Sequence, residues 1–274
     1  MTSRRAFLAT ALTLPLLVGC GAEPPITAAP AGAPTRPPSG TPADRASAAP
    51  TPAASVSAAP TVAAALAPVP AAHFDLNQWK LQIPGPKDVT ELADYTSQFF
   101  YLNDRKQMCF WVDCAAEGTT ENSNYVRSEL RHLPNWRIAD DGTRTLSATM
   151  RVDSRADPDK VTVMQIHGTS EDGDNVPPLL RIALNGGTLS AFLKATTDSK
   201  STDSTVLLPL VGLDPFTCTL TVKQRVLTIS ANNVDVLSQD ISYWPYLNYF
   251  KAGCYPQSHR GTVNVYFDAL NVSV

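Results

Sequence analysis

The sequence predicts an all-β fold, a two-sheet jelly-roll sandwich in which one sheet is concave and forms a groove. Three observations predict it. Short segments of period-two alternation follow one another through the second half of the chain, turn signals separate them, and no segment there carries a long, capped amphipathic helical stripe. So many short strands in one domain are best buried as two packed sheets.

In chain order, residues 89–99 are the one stretch with the spacing of a short helix. Residues 125–131 (Tyr-Val-Arg-Ser-Glu-Leu-Arg) alternate charged and uncharged positions, so a strand here projects Arg127, Glu129 and Arg131 from one face. Residues 146–152 and 161–167 continue the alternation, the latter setting Gln165 and His167 on one side and Ile166 on the other. Asn185-Gly186-Gly187 between two apolar runs is a hairpin signal, and Asn232-Asn233 is a second. Residues 249–257 divide cleanly: Phe250, Ala252 and Cys254 face inward, while Tyr249, Lys251, Tyr255 and Gln257 face outward around Gly253. A glycine on that polar face leaves room for something to approach the backbone.

The N-terminal part differs in kind. Residues 1–20 read as an export signal: Arg4-Arg5 followed by Phe7-Leu8 resembles a twin-arginine motif, and the apolar run 9–18 is too short to span a bilayer. Leu17-Val18-Gly19-Cys20 resembles a lipobox, so Cys20 is expected to carry acyl chains that hold an exported, cell-envelope protein on a membrane; a cleaved, secreted form is the other reading. Residues 21–71 are almost wholly Ala, Pro, Thr, Ser and Gly and hold about half of the chain's 23 prolines. Such a segment buries too little to offset its ordering entropy and is expected to act as a tether. Residues 72–274 are then one well-cored domain, expected to be a monomer.

The formal charge of −3, with no Lys/Arg block, argues against nucleic-acid binding. A polyanion would have to be held by local cations. Cys109, Cys114, Cys218 and Cys254 form an even set in a domain expected to be exported, with no zinc-like spacing; the expected pairing is Cys109 with Cys114 and Cys218 with Cys254, although three pairings exist.

Together the three polar segments resemble the alginate lyases of polysaccharide lyase family 7. Their hallmarks are an Arg-Ser/Thr-Glu-Leu-Arg strand, a Gln-Ile/Val-His strand and a Tyr-Phe-Lys-Ala-Gly-x-Tyr-x-Gln strand, all present here in that order. The likeness extends to residues 74–81 and 265–270 and so spans the folded domain. It implies β-elimination on a uronate polymer, alginate or a related polyuronate, with no cofactor or metal required. Arg127, Gln165 and His167 would hold the uronate carboxylate, His167 or Tyr255 would take the C5 proton, and Tyr255 would protonate the departing oxygen. Glu129, Arg131, Tyr249, Lys251 and Gln257 are expected as substrate contacts, with Glu129 orienting neighbouring arginines. Asn124, Trp136 and His132 are further groove candidates, and His73 and His259 bystanders. Ile166 within the Gln-Ile-His motif implies acceptance of guluronate-containing blocks.

Two rivals stand beside this reading. A glycoside hydrolase needs two carboxylates flanking the scissile bond, and Glu129, between two arginines, is the one strong candidate. A non-catalytic surface carbohydrate-binding domain would use the same cations without needing His167 and Tyr255 together.

Overall fold

A computed structural model describes residues 68–85, 87–118, 123–197 and 202–274. The export signal, Cys20 and nearly all of the tether lie outside the described residues. A 3-10 turn, Pro70–Ala72, buries Pro70 and leads into the body.

Fifteen strands follow: β1 (Trp79–Gln82), β2 (Phe100–Leu102), β3 (Met108–Asp113), β4 (Ser128–His132), β5 (Trp136–Arg137), β6 (Thr143–Ser154), β7 (Lys160–Thr169), β8 (Asn175–Asn185), β9 (Thr188–Leu193), β10 (Asp203–Leu208), β11 (Phe216–Lys223), β12 (Val226–Ala231), β13 (Val234–Asp240), β14 (Leu247–Pro256) and β15 (Thr262–Ser273). They build two wholly antiparallel sheets. One runs β1-β4-β14-β7-β8-β9-β10, with β5 beside β14; the other runs β13-β12-β11-β6-β15-β3-β2. This is the expected jelly-roll sandwich.

The core between the sheets follows from alternation. Along β6 every second side chain, Leu146, Ala148, Met150 and Val152, is buried, and from the facing sheet come Leu130, Ile166 and Phe250. Phe110 lies at the centre, its ring 5.2 Å from Phe100 and 5.1 Å from Phe267 in tilted and edge-on contacts. Both predicted hairpins form. Asn185 pairs with Thr188 across Gly186 and Gly187, which take φ of +57° and +81°, and Ala231 pairs with Val234 across Asn232 and Asn233 at +49° and +65°. These left-handed pairs give the type I′ turn geometry that matches strand twist.

Two expectations are corrected. Residues 89–99 form no helix: Val89 bridges Leu81 in an extended contact, Leu92 is buried, and Tyr95 stacks on Phe100. Their apolar side chains meet the core one at a time rather than as one helical face. The four cysteines are free thiols. Cys109 and Cys114 are separated by five positions along β3 and its exit, which points them to opposite sides. Five extended residues also span roughly 16 Å, beyond the ~7 Å Cα separation that a disulfide tolerates. Cys218 lies on β11 and Cys254 on β14, in different sheets; Cys254 interacts with Cys114 across the sandwich, one of the influences raising its thiol pKa after burial itself.

Candidate active site

Strand β7 is buried along almost its whole length on both faces, although only one face meets the core. Its other face lies on the outside of the eight-stranded sheet and is covered by polar and charged side chains. Backbone register aligns one row of them across seven strands: Lys80, Arg131, Lys251, Gln165, Arg181, Phe192 and Ser204, from β1 through β4, β14, β7, β8 and β9 to β10. Four of the seven are cations.

Glu129 anchors the middle of this face. It is fully buried, and its carboxylate accepts bonds from the Lys251 ammonium and from Gln165 Nε2, with Arg127 Nη1 3.5 Å away. Burial alone would raise its pKa, but the charges of Lys251 and Arg127, with bonds from Lys251 and Gln165, hold the carboxyl below its ordinary range. Lys251, 2% exposed, donates a second bond to Gln82 Oε1 at 2.7 Å. Burial lowers its pKa to about 8 against the opposing pull of Glu129. The three donors come from the segment before β4, from β7 and from β14, so one carboxylate fixes three pieces of chain.

Gly253 explains how β4 and β14 come so close. A Cβ at this position, where φ is +150°, would lie 2.6 Å from the Ser128 carbonyl oxygen and 2.7 Å from Glu129 Cα. The room that its missing side chain leaves is thus filled by the neighbouring strand. That corrects the expectation of open space on the polar face.

Around this anchor stand the groups with free chemistry. The Arg127 guanidinium lies over the Tyr255 ring, 4.1 Å from its centroid, and its Nε–H is buried without a partner among the described residues. The Tyr255 hydroxyl is 2.9 Å from Ser123 Oγ. Because Ser123 donates its own proton to the Tyr125 carbonyl, Tyr255 is the donor in that contact. His167 Nδ1 is 2.9 Å from the Gly168 carbonyl, which can only accept, so the ring proton sits on Nδ1 and Nε2 keeps its lone pair. Tyr249 stacks on the imidazole, 5.2 Å between centroids at 15°. Burial, then the positive charge of Lys251, lowers the His167 pKa to about 4, against smaller opposing effects of Gly168 and Glu129. The imidazole is therefore neutral at physiological pH.

Arg127, Gln165, His167 and Tyr255 line a single cavity of about 320 Å³, which no Asp or Glu among the described residues borders. The other expected contacts lie behind or beside it. Lys251 and Glu129 form its buried support. Arg131 donates to the carbonyls of His132 and Leu133 and to Asn135, and stacks on Tyr249. Gln257 is bonded to the Tyr255 carbonyl and to Thr162. Two groove candidates are corrected: Trp136 and His132 are core residues, packed on Phe250 and Trp79. Sequence reasoning passed over Ser123, and also Asn175, Arg181, Phe192 and Lys194, which line the same cavity. Arg181 had a visible signal, a lone charge in the apolar run 179–184, and the Gly-Gly turn already sets Arg181 opposite Phe192.

A family profile described as alginate lyase matches residues 74–274, the whole of the β-sandwich. The chain belongs to the alginate lyase family. It is 27% identical over 205 residues to an alginate lyase of Photobacterium sp., covering 60% of this chain and 72% of the relative. Among solved structures it is similar to alginate lyase A1-II′ of polysaccharide lyase family 7, with TM-score 0.69, 31% identity, and coverage of 74% of this chain and 97% of that one. The same relative in complex with substrate (GGMG) superimposes with TM-score 0.70 at 30% identity, covering 76% and 97%. An alginate lyase from Pseudomonas aeruginosa gives TM-score 0.66 at 28% identity, covering 73% and 99%. This alginate lyase is accordingly a polysaccharide lyase, an enzyme that breaks a carbon–oxygen bond.

Proposed function

We propose that this cavity cleaves alginate by β-elimination between C4 and C5 of a uronate residue, and that it accepts guluronate-containing blocks. The observation that carries the reading is the convergence, in one cavity, of a buried Arg127 Nε–H without a partner among the described residues, Gln165, the Nε2 lone pair of His167 and the Tyr255 hydroxyl.

The uronate carboxylate meets Arg127 Nε–H and the second amide proton of Gln165, whose first is held by Glu129. These bonds strengthen as the C5–H electron pair moves toward the carboxylate, which is where stabilisation lowers the barrier. His167 Nε2 takes the C5 proton when it lies opposite the leaving group, as in guluronate. The pair left at C5 forms the C4–C5 double bond, the C4–O4 bond breaks, and the Tyr255 O–H protonates O4. His167 then returns its proton to solvent and Tyr255 regains one. In mannuronate, where proton and leaving group share a side, Tyr255 enters as the phenolate, takes the C5 proton and passes it to O4. No cofactor enters any step. Glu129 and Lys251 hold the donors in place without touching the sugar.

A relative solved with substrate (GGMG) supports guluronate-containing alginate as the polymer, and the Gln165-Ile166-His167 motif favours the same blocks. We also propose an exported protein anchored through acylated Cys20, a reading supported by the lipobox-like residues 17–20. The test of the chemistry follows ultraviolet absorbance of the new conjugated double bond on polyguluronate, polymannuronate and glucuronan. His167→Ala and Tyr255→Phe are each expected to lower turnover by about 10²-fold or more with unchanged circular dichroism. Near-normal rates in either variant refute the mechanism, and a signal on glucuronan alone changes the substrate.

A further inference from the structure

We propose that Arg181 and Phe192 form a second uronate subsite beside the reacting one, Arg181 binding the carboxylate of an adjoining sugar and Phe192 carrying the apolar face of its ring. The proposal rests on the lyase reading above and extends it to strands outside the three motifs.

Register places the pair. Gln165, Arg181 and Phe192 are consecutive members of the row on β7, β8 and β9. Strands lie roughly 4.8 Å apart, so Arg181 is the next side chain beyond the donors assigned to the reacting carboxylate. Both Arg181 and Phe192 line the cavity together with Arg127, Gln165, His167 and Tyr255. The Arg181 guanidinium lies 5.8 Å from the Phe192 ring centroid, and the Lys160 ammonium lies 5.5 Å from the same ring.

Charge distinguishes this cluster from the one beside it. Arg127 and Lys251 share the buried carboxylate of Glu129. Among the described residues, Arg181 and Lys160 take part in none of the ion pairs and no carboxylate lines the cavity. Two half-buried cations beside one aromatic ring repel each other, and an anion bound at Arg181 in the cavity reduces that cost. A planar guanidinium matches a carboxylate with two parallel bonds, and an aromatic face beside it suits the C–H face of a pyranose. A polymer with a carboxylate on every residue supplies both at once.

The test is steady-state kinetics of the full chain on polyguluronate and polymannuronate. Arg181→Gln is expected to raise KM about tenfold or more with kcat within about twofold, because the contact is made equally in the ground and transition states. It should also flatten the fall of kcat/KM with salt. Arg181→Lys, which keeps the charge without the fork, should lie between, and Phe192→Leu should raise KM by a smaller factor. An unchanged KM for Arg181→Gln in an active enzyme overturns the subsite alone, as does a fall in kcat at constant KM. A wild-type enzyme that yields no unsaturated product overturns the lyase reading and the subsite with it.

Discussion

Replacing Glu129 by Gln keeps the shape of the side chain and removes the one charge that Arg127, Gln165 and Lys251 share. Left without its counter-ion, Lys251 escapes by releasing its proton inside the fold. Burial holds its pKa at about 8, so at pH 6 that release costs on the order of 2–3 kcal/mol, at about 1.4 kcal/mol per pH unit. Weakened bonds to Gln165 and Arg127 add about 1 kcal/mol, for a total of about 3–4 kcal/mol. This agrees with the roughly 3–5 kcal/mol found when one partner of a buried pair is removed. The sign of the pH effect follows from linkage. A lysine whose folded pKa is depressed penalises folding at low pH, and the penalty is relieved as pH rises through the folded value toward about 10.4. Wild type begins this gain near pH 8, whereas the variant begins it lower, so its deficit should narrow to about 1–2 kcal/mol by pH 8. Urea unfolding of both proteins at pH 6 and pH 8 measures this directly. Equal midpoints at pH 6 would refute the shared-carboxylate account, and so would a deficit that does not narrow.

Two further outcomes are expected. Because the imidazole of His167 titrates at about 4 rather than near its ordinary 6.5, the acid limb of kcat/KM should lie below pH 5, and a limb at 6 to 7 would remove His167 as the base. His132, lowered to about 4 by burial and then by Arg131, acts with His167 on stability: both are neutral when folded, so unfolding takes up protons and stability should decline as pH falls from 6.5 to 4. Ser123→Ala removes the partner of the Tyr255 hydroxyl and should lower kcat about two- to tenfold with little change in KM; an unchanged kcat shows that Ser123 does not position Tyr255.

Alternation alone told which residues share a face. It set Arg127, Glu129 and Arg131 together, and Lys251 with Tyr255, and the structure agrees. What alternation does not carry is depth. Residues on the outer face of a sheet are expected to meet water, yet Glu129 and Lys251 are as buried as the core, because the cations and aromatic rings of neighbouring strands close over them. Nor does it carry adjacency. Residues 129, 165 and 251 meet only because β14 inserts between β4 and β7, an order that neither the motifs nor the strand pattern gives. The cysteine pairing went astray for a related reason: an even count speaks to chemistry and compartment, while the parity of the Cys109–Cys114 spacing forbids the bond. Ser123 carried no periodic signal, since it precedes its strand and works through one hydroxyl.

The close seating of β14 on β4 at Gly253 has a consequence for how such an enzyme can diversify. The spacing between Arg127, just ahead of β4, and Tyr255 on β14 is set where main chain meets main chain at Gly253. Any residue larger than glycine there would wedge the reacting groups apart, so this half of the site is closed to gradual adjustment. Arg181 and Phe192 lie away from this contact, on β8 and β9. On the proposed reading, the reacting groups and the neighbouring-sugar contacts therefore lie on separate pieces of the sheet, so that Arg181 and Phe192 can be exchanged without moving β4 against β14.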